Sequence, residues 1–382
     1  MNTIPRENNT DAGNSKKAGA LSLMVFIDAL GWEVLRDRKF MQEELPHRRK
    51  LRSVFGFSSA CVPSILTGKT PRDHGHWSYF YYSPQSSPFG LLKLLRLLPK
   101  KLTDRGRVRH LISRLLGKLF GFTGYFQIYN LPFSHAGLFD YCEKNDIFKP
   151  GGMNKGDNIF DVLENNNVNY HVSDWRKSEE ENLKSCHDAI TAADARFAFL
   201  YMASMDSLLH QVGKHSPKVD TKLAWYEQQL HDLLAHAREH YDEVRLFVCS
   251  DHGMATVEQD IDLMTSIESL PLTYGEDYVA VYDSTMARFW FHNHKARNLI
   301  RETLSAQEDG HILGDKELAQ LGCDFEGKQF GEMIYLLDPG KIIVPSHMGL
   351  KTITGMHGYH PDHPDSDAAL LANVETELPV NS

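Results

Sequence analysis

The chain has 382 residues, 42% of them hydrophobic, enough for one large α/β domain with insertions or for two domains. Its 41 basic and 50 acidic residues leave a formal charge of −9, so no global basic field points to duplex nucleic acid as a partner. Five cysteines (Cys61, Cys142, Cys186, Cys249 and Cys323) are scattered, odd in number and without a CxxC pair, which reads as a reduced compartment.

Residues 1–20 are polar and read as a disordered tail, without the apolar core of a signal peptide. The first apolar run is too short to span a bilayer, so the expectation is a soluble, cytoplasmic protein with its catalytic domain over 21–382. Leu21–Ile27 is almost continuously apolar, as a buried central strand of a parallel sheet would be. Asp28 closes it at the carboxyl end, where open α/β sheets bind ligands, although a plain helix cap is the ordinary alternative. Trp32–Leu45 reads as a helix stopped by Pro46. Leu51–Phe57 reads as a strand and leads into FSSACVPSILTGKTPRDHG, residues 57–75. Its serines and Pro63-Ser64 suit the first turn of a helix that Thr67-Gly68 ends. A hydroxyl at such a junction faces the first-turn N–H groups, a favourable place to meet an anion; a simple N-cap is the bland alternative. His76 to Tyr82 is rich in aromatics, fit either to stack a base or sugar or to fill a core.

Residues 84–150 stand apart as an insertion. Within 84–125 the chain is leucine-rich and basic, with Asp104 its only acid. Leu91, Leu94, Leu95 and Leu98 follow helical spacing among Lys93 and Arg96, with Lys100 and Lys101 beyond Pro99. The preferred reading is a helical hairpin packed on the main domain with its charges solvated. The alternatives are peripheral contact with an anionic membrane and a cover over a phosphate-rich substrate. The α/β rhythm then returns: helix Asn158–Asn165, strand Val168–Val172, helix Glu179–Ala192, strand Ala198–Ala203, helix Lys218–His240 and strand Val244–Val248. Such alternation signals a parallel sheet with helices on both faces. Residues 265–345 read as a small cap with returning strands at Tyr278–Tyr282 and Ala287–Phe291. Glu332–Leu337 and Ile342–Val344 resemble a hairpin around Asp338-Pro339-Gly340. Asp206 with His210, and Asp251 with His252, follow apolar runs, and His357 comes late in GMHGY. Mixed Asp/His sets at strand ends suit zinc.

On SDHGM at 250–254, the Asp206-x-x-x-His210 pair, GMHGY at 355–359 and the PSILTGKTPRDHG block, the chain resembles the alkaline phosphatase superfamily. Within it, the resemblance is to the type I phosphodiesterase/nucleotide pyrophosphatase branch, over most of residues 21–373. It implies an alkaline phosphatase-like α/β sandwich and a two-zinc site, with manganese or another divalent metal as the alternative. Asp28, Asp251 and His252 would hold one zinc; Asp206, His210 and His357 would hold the other. The nucleophile lies ten residues before Gly68, at Ser58, which would also touch metal. Counting from Pro63 gives Cys61 instead, and Ser59 is a lesser substitute. The branch carries an Asn after its His-Gly that helps hold the phosphoryl oxygen. Tyr79 stands there by position, and Tyr79 or His76 would take over that contact.

The implied activity is hydrolysis of a small-molecule phosphodiester or pyrophosphate through a phosphoseryl intermediate. No Arg or Lys stands out in the motifs for a monoester's extra charge, although Lys69 and Arg72 are close in sequence. Rival readings are a sulfatase, from Cys61-Val62-Pro63-Ser64 (its expected Arg is Ile65), a phosphotransferase or mutase, and a catalytically silent homologue holding a polyanion or membrane. His74, His360 and His363 receive no ligand role.

Overall fold

The computed structural model describes residues 17–97 and 105–375. Most of the expected tail, residues 1–16, lies outside the described residues, as do Leu98, Lys100 and Lys101 of the insertion. Residues 18–20 are not tail. They begin the first strand, Ala18–Ile27, because Ala18 and Ala20 already register with Tyr241 and Glu243.

That strand is the middle of a six-stranded sheet in the order 47–51, 368–372, 241–249, 18–27, 197–202, 170–172. The last four run parallel, whereas Ala368–Ala372 pairs antiparallel with both its neighbours. Leu21, Leu23, Val25 and Ile27 face one core, shared with Leu183, Ile190, Leu230 and Leu234 of helices Glu179–Ala192 and Pro217–His240. Phe26 and Met24 face the other, with Val62 and Leu66 of helix Ser58–Thr67. A strand packed on both faces needs apolar residues at nearly every position, which explains the almost continuous run. The flanking helices start where the sequence offers caps. Ser178 with Glu181, and Asn158 with Asp161, form capping boxes, and Pro217 opens the long helix behind Ser216.

Four expectations move. Trp32–Leu45 is helical only over Trp32–Leu35. Its polar groups bond to the long helix instead, Arg38 to Asp220 and the Met41 amide to Glu227. The strand expected at 51–57 lies upstream, at His47–Leu51; as a half-exposed edge strand it has no apolar run. Pro63 sits in the middle of helix Ser58–Thr67 and not in its first turn. Met333–Leu337 and Lys341–Ile343 do not form a hairpin. The first joins an antiparallel four-stranded sheet with 278–282, 286–291 and 310–312, and the second pairs in parallel with Gln259–Ile261. Residues 84–150 contain a 3-10 helix at Gly90–Leu97 and a helix at Gly106–Phe120. Their base is closed by pairing of Phe80–Tyr82 with Phe139–Tyr141. No helix among the described residues is long and apolar enough to cross a membrane.

The loop after the first strand passes the loop after Tyr241–Cys249 at backbone contact. A Cβ on Gly31 would lie 2.2 Å from the Gly253 Cα and 2.8 Å from the Asp367 carbonyl oxygen. Only backbone could yield, so Gly31→Ala is expected to destabilise the protein by about 3 kcal/mol in urea unfolding. A stability equal to wild type would mean that the two loops can separate freely.

Candidate active site

Three parallel strands end side by side, and each delivers acid or imidazole at its carboxyl end. Ile27 is followed by Asp28, Met202 by the helix Ser204–Val212 carrying Asp206 and His210, and Cys249 by Asp251 and His252. Asp206 and His210 are four residues apart on that helix, so both face the same side. The short strand Gly355–Met356 brings His357 over them, its ring stacked on His252 at 3.7 Å between centroids. All six residues predicted as metal ligands are thus brought together.

The groups do not satisfy one another by hydrogen bonding. His210 Nδ1 lies 2.8 Å from the Gly355 carbonyl and His252 Nδ1 2.9 Å from that of Gly253. A carbonyl only accepts, so each Nδ1 carries hydrogen and each neutral ring presents a bare Nε2. Those lone pairs face oxygen: His210 Nε2 is 3.3 Å from Asp206 Oδ1, and His252 Nε2 is 3.1 Å from Asp251 Oδ2. Asp28 Oδ1, Asp206 Oδ1, Asp251 Oδ2 and His357 Nδ1 are buried and make no hydrogen bond. Acceptors facing acceptors need protons or cations between them. Burial, then Asp251 and Asp206, raises the Asp28 carboxyl well above its usual range. At His252 burial works downward, but Asp251, Asp28 and Asp206 outweigh it and lift the imidazole to about 10. The cluster therefore retains protons in the positions a divalent cation would take, and its oxygen and imidazole donors fit such a cation.

The structure groups these ligands differently from the sequence in one respect. Asp206, His210 and His357 form one close set, as expected. The other close set is Asp28, Asp206 and His252, with Asp206 common to both. Asp251 stays beside His252 while its Oδ1 accepts from the amides of Ala29 and His252. Tyr201, unassigned in the sequence, donates to Asp28 Oδ2 at 3.0 Å and fixes that carboxylate. Its one trace in the sequence is a polar hydroxyl inside an otherwise apolar strand.

Ser58 is the first residue of its helix, and its Oγ is 3.0 Å from His252 Nε2. Ser59 is engaged elsewhere, donating to the Trp77 carbonyl. Cys61 is buried behind the site with its thiol on the Val54 carbonyl, and burial raises its pKa. The sulfatase reading therefore has no nucleophile at the cavity. His74 is internal, bonded to Ser64, and burial lowers its pKa to about 3. His76 is likewise buried, its Nε2 accepting from the Asn154 amide, and it does not line the cavity as the sequence predicted.

Tyr79 does line it. The cavity measures about 430 Å³, a size suited to a small organic ligand. Asp28, Ser58, Asp206, His210 and His357 form its floor, and Tyr79, Tyr125, Tyr129, Phe148 and Trp175 its walls. No Lys or Arg is among the described lining residues, and Arg72 is tied to Asp324 at the surface. Glu143 also reaches the cavity. Nothing in the sequence marked Tyr125, Tyr129 or Glu143, because they arrive on the insertion.

The family profile of type I phosphodiesterase / nucleotide pyrophosphatase matches residues 23–360. Among solved structures, murine ectonucleotide pyrophosphatase/phosphodiesterase 5 is similar, with a TM-score of 0.63 at 16% identity over 94% of this chain and 88% of that one. An inactive form of the murine protein in complex with AMP gives 0.65 at 16% identity over the same shares. The human protein of that name gives 0.63 at 14% identity, over 94% and 87%. These likenesses establish the alkaline phosphatase-like fold. No curated protein sequence matches the chain.

Burial pushes the Glu143 carboxyl from its ordinary 4.5 up to about 8, with a hydrogen bond from the Tyr125 amide opposing and Asp146 adding to the rise. The folded state thus holds a proton that the unfolded chain releases near 4.5, so stability falls as pH rises from there and levels off above about 8. Glu143→Gln should flatten that fall, its melting temperature gaining on wild type from about pH 5 to about pH 8. Parallel melting curves across that range would place Glu143 in a wetter setting.

Proposed function

The chain belongs to the type I phosphodiesterase/nucleotide pyrophosphatase family and is a phosphoric ester hydrolase, and we propose that it cleaves phosphodiester or pyrophosphate bonds with Ser58 as nucleophile. One observation carries the reading: the Ser58 hydroxyl opens a helix and lies 3.0 Å from His252 Nε2, above a floor of converging carboxylates and imidazoles. Asp28, Asp251 and His252 would hold one divalent cation, zinc by the donor set, and Asp206, His210 and His357 would hold a second; Asp206 also belongs to the close set with Asp28 and His252. Such cations supply Lewis-acid stabilisation and lower the pKa of a bound hydroxyl or water.

The chain's own groups do the rest. Ser58 Oγ gives up its proton and bonds to phosphorus as the bond to the leaving oxygen breaks and that oxygen takes up a proton; water then cleaves the phosphoserine, one of its protons returning to Ser58 Oγ and its oxygen leaving on the phosphate. Amides of the first turn of helix Ser58–Thr67 stabilise charge on the nonbridging oxygens. His210 and His252 keep their rings oriented through the Gly355 and Gly253 carbonyls. A cavity with no Lys or Arg among its described lining residues favours a diester's single charge over a monoester's two. The tyrosine and tryptophan walls favour a flat group next to the phosphate, and a nucleotide fits that description. The AMP complex of the murine protein supports the same choice. Five free, buried thiols accord with a reducing, cytoplasmic setting.

Zinc-loaded protein should turn over bis-p-nitrophenyl phosphate faster than p-nitrophenyl phosphate and leave p-nitrophenyl sulfate intact. Ser58→Ala is expected to cut diester turnover at least about a thousandfold with bound metal unchanged. Asp206→Asn should lose metal as well as activity. An active Ser58→Ala would move the nucleophile elsewhere, and turnover that survives chelation would sink the metal-dependent reading.

A further inference from the structure

Helix Gly106–Phe120 carries two apolar faces, and only one of them is used. Ile112 and Leu116 turn inward onto the core of Phe89 and Tyr141. The polar residues of that face hold neighbouring backbone. Arg109 donates to the Tyr129 and Leu131 carbonyls, and Ser113 Oγ accepts from the Ile128 amide. At about 100° per residue, Leu111, Leu115 and Leu119 line up as a second stripe beside the first, between the inward face and the cations. They are exposed by 56%, 60% and 74%. Leu91 and Leu94 of the neighbouring 3-10 helix are exposed by 76% and 58%, and the contact of Phe89 with Phe120 joins that turn to the helix end. Single exposed leucines mean little, but five on adjoining elements form a patch that water disfavours.

The charge beside the stripe is of one sign. Arg107, Arg114 and Lys118 flank the leucines on the same helix, are exposed and make no ion pair among the described residues. From Arg105 to Phe139 the sequence has no acid at all, in a chain whose net charge is −9. An apolar stripe bordered by cations matches an interface whose interior is apolar and whose surface is anionic. A second copy of this chain fits less well, since a two-fold contact would set the cationic stripe against itself.

We propose that this face is a peripheral membrane-binding surface. The exposed leucines enter the acyl boundary of an anionic bilayer, while Arg107, Arg114, Lys118 and Lys93 engage the lipid phosphates. The proposal does not depend on the catalytic reading.

The test is co-sedimentation of the full chain with vesicles of phosphatidylcholine alone and with about 30% phosphatidylglycerol added. Binding is expected only to the anionic vesicles, and should weaken as NaCl rises from about 0.1 M to about 0.5 M. Leu111→Ser/Leu115→Ser/Leu119→Ser should lower the partition coefficient about tenfold or more. Arg107→Glu/Arg114→Glu/Lys118→Glu should abolish the preference for anionic lipid. Both variants should melt like wild type and hydrolyse a soluble diester at the wild-type rate, because the altered residues lie outside the core and the cavity. Three results would overturn the proposal: no binding, equal binding to neutral vesicles, or a wild-type dimer that the leucine variant converts to monomer.

Discussion

Mutual repulsion among buried acids is the constraint on which the site depends. Oxygens of Asp28 and Asp206 lie within 4.8 Å of each other and of the His252 ring. Two unit charges at that distance repel by about 3 kcal/mol at an effective dielectric near 20. Asp251 adds a third carboxyl beside the same ring. A protein gains nothing in stability by assembling such a cluster; hydrophobic residues of the same volume would serve a core better. The arrangement makes sense as a receptacle for positive charge, and the direction of the Asp28 and His252 shifts records its demand for it.

Holding repelling groups together requires a frame that cannot relax. Parallel strands supply it, because their carboxyl ends emerge on one edge and adjacent strands lie about 5 Å apart. The loops leaving those ends are then locked by backbone contact, with Gly31 against Gly253 and the Trp32 amide on the Asp367 carbonyl. Orientation comes from carbonyls and one phenol, through Gly253, Gly355 and Tyr201. Each of these partners belongs to the fold itself, so the geometry of the site is set by the same packing that sets the sheet.

This explains what could be read from the sequence. Strands buried on both faces announce themselves as apolar runs, and their carboxyl ends are where ligands bind in such sheets. Asp28 was singled out directly after its run, and Asp206, Asp251 and His252 by Asp/His pairs shortly past theirs; capped helices such as Glu179–Ala192 had clear starts. The edge strand His47–Leu51 was not, because it is half exposed and polar. The false hairpin at 332–344 arose because a turn sequence specifies a local bend and says nothing about which strand will be paired. The closeness of Asp206 to both residue sets, and of Tyr201 to Asp28, depends on distances between elements far apart in the chain, which spacing along the sequence does not encode.

The insertion was the least legible segment, and the reason is instructive. A helix with a wide apolar arc and a basic remainder suits a packed hairpin, the preferred reading, but also a surface-bound helix. In the structure the inner face packs on the core while Leu111, Leu115 and Leu119 stay exposed. The inner face uses Arg109 and Ser113 to grip the backbone at Ile128, Tyr129 and Leu131, just past Tyr125. Tyr125 and Tyr129 are cavity walls, stacked around Tyr79. The helix that presents leucines outward is therefore the support on which the aromatic side of the cavity rests. The Arg109 and Ser113 hydrogen bonds thus tie this helix to the backbone that carries Tyr129.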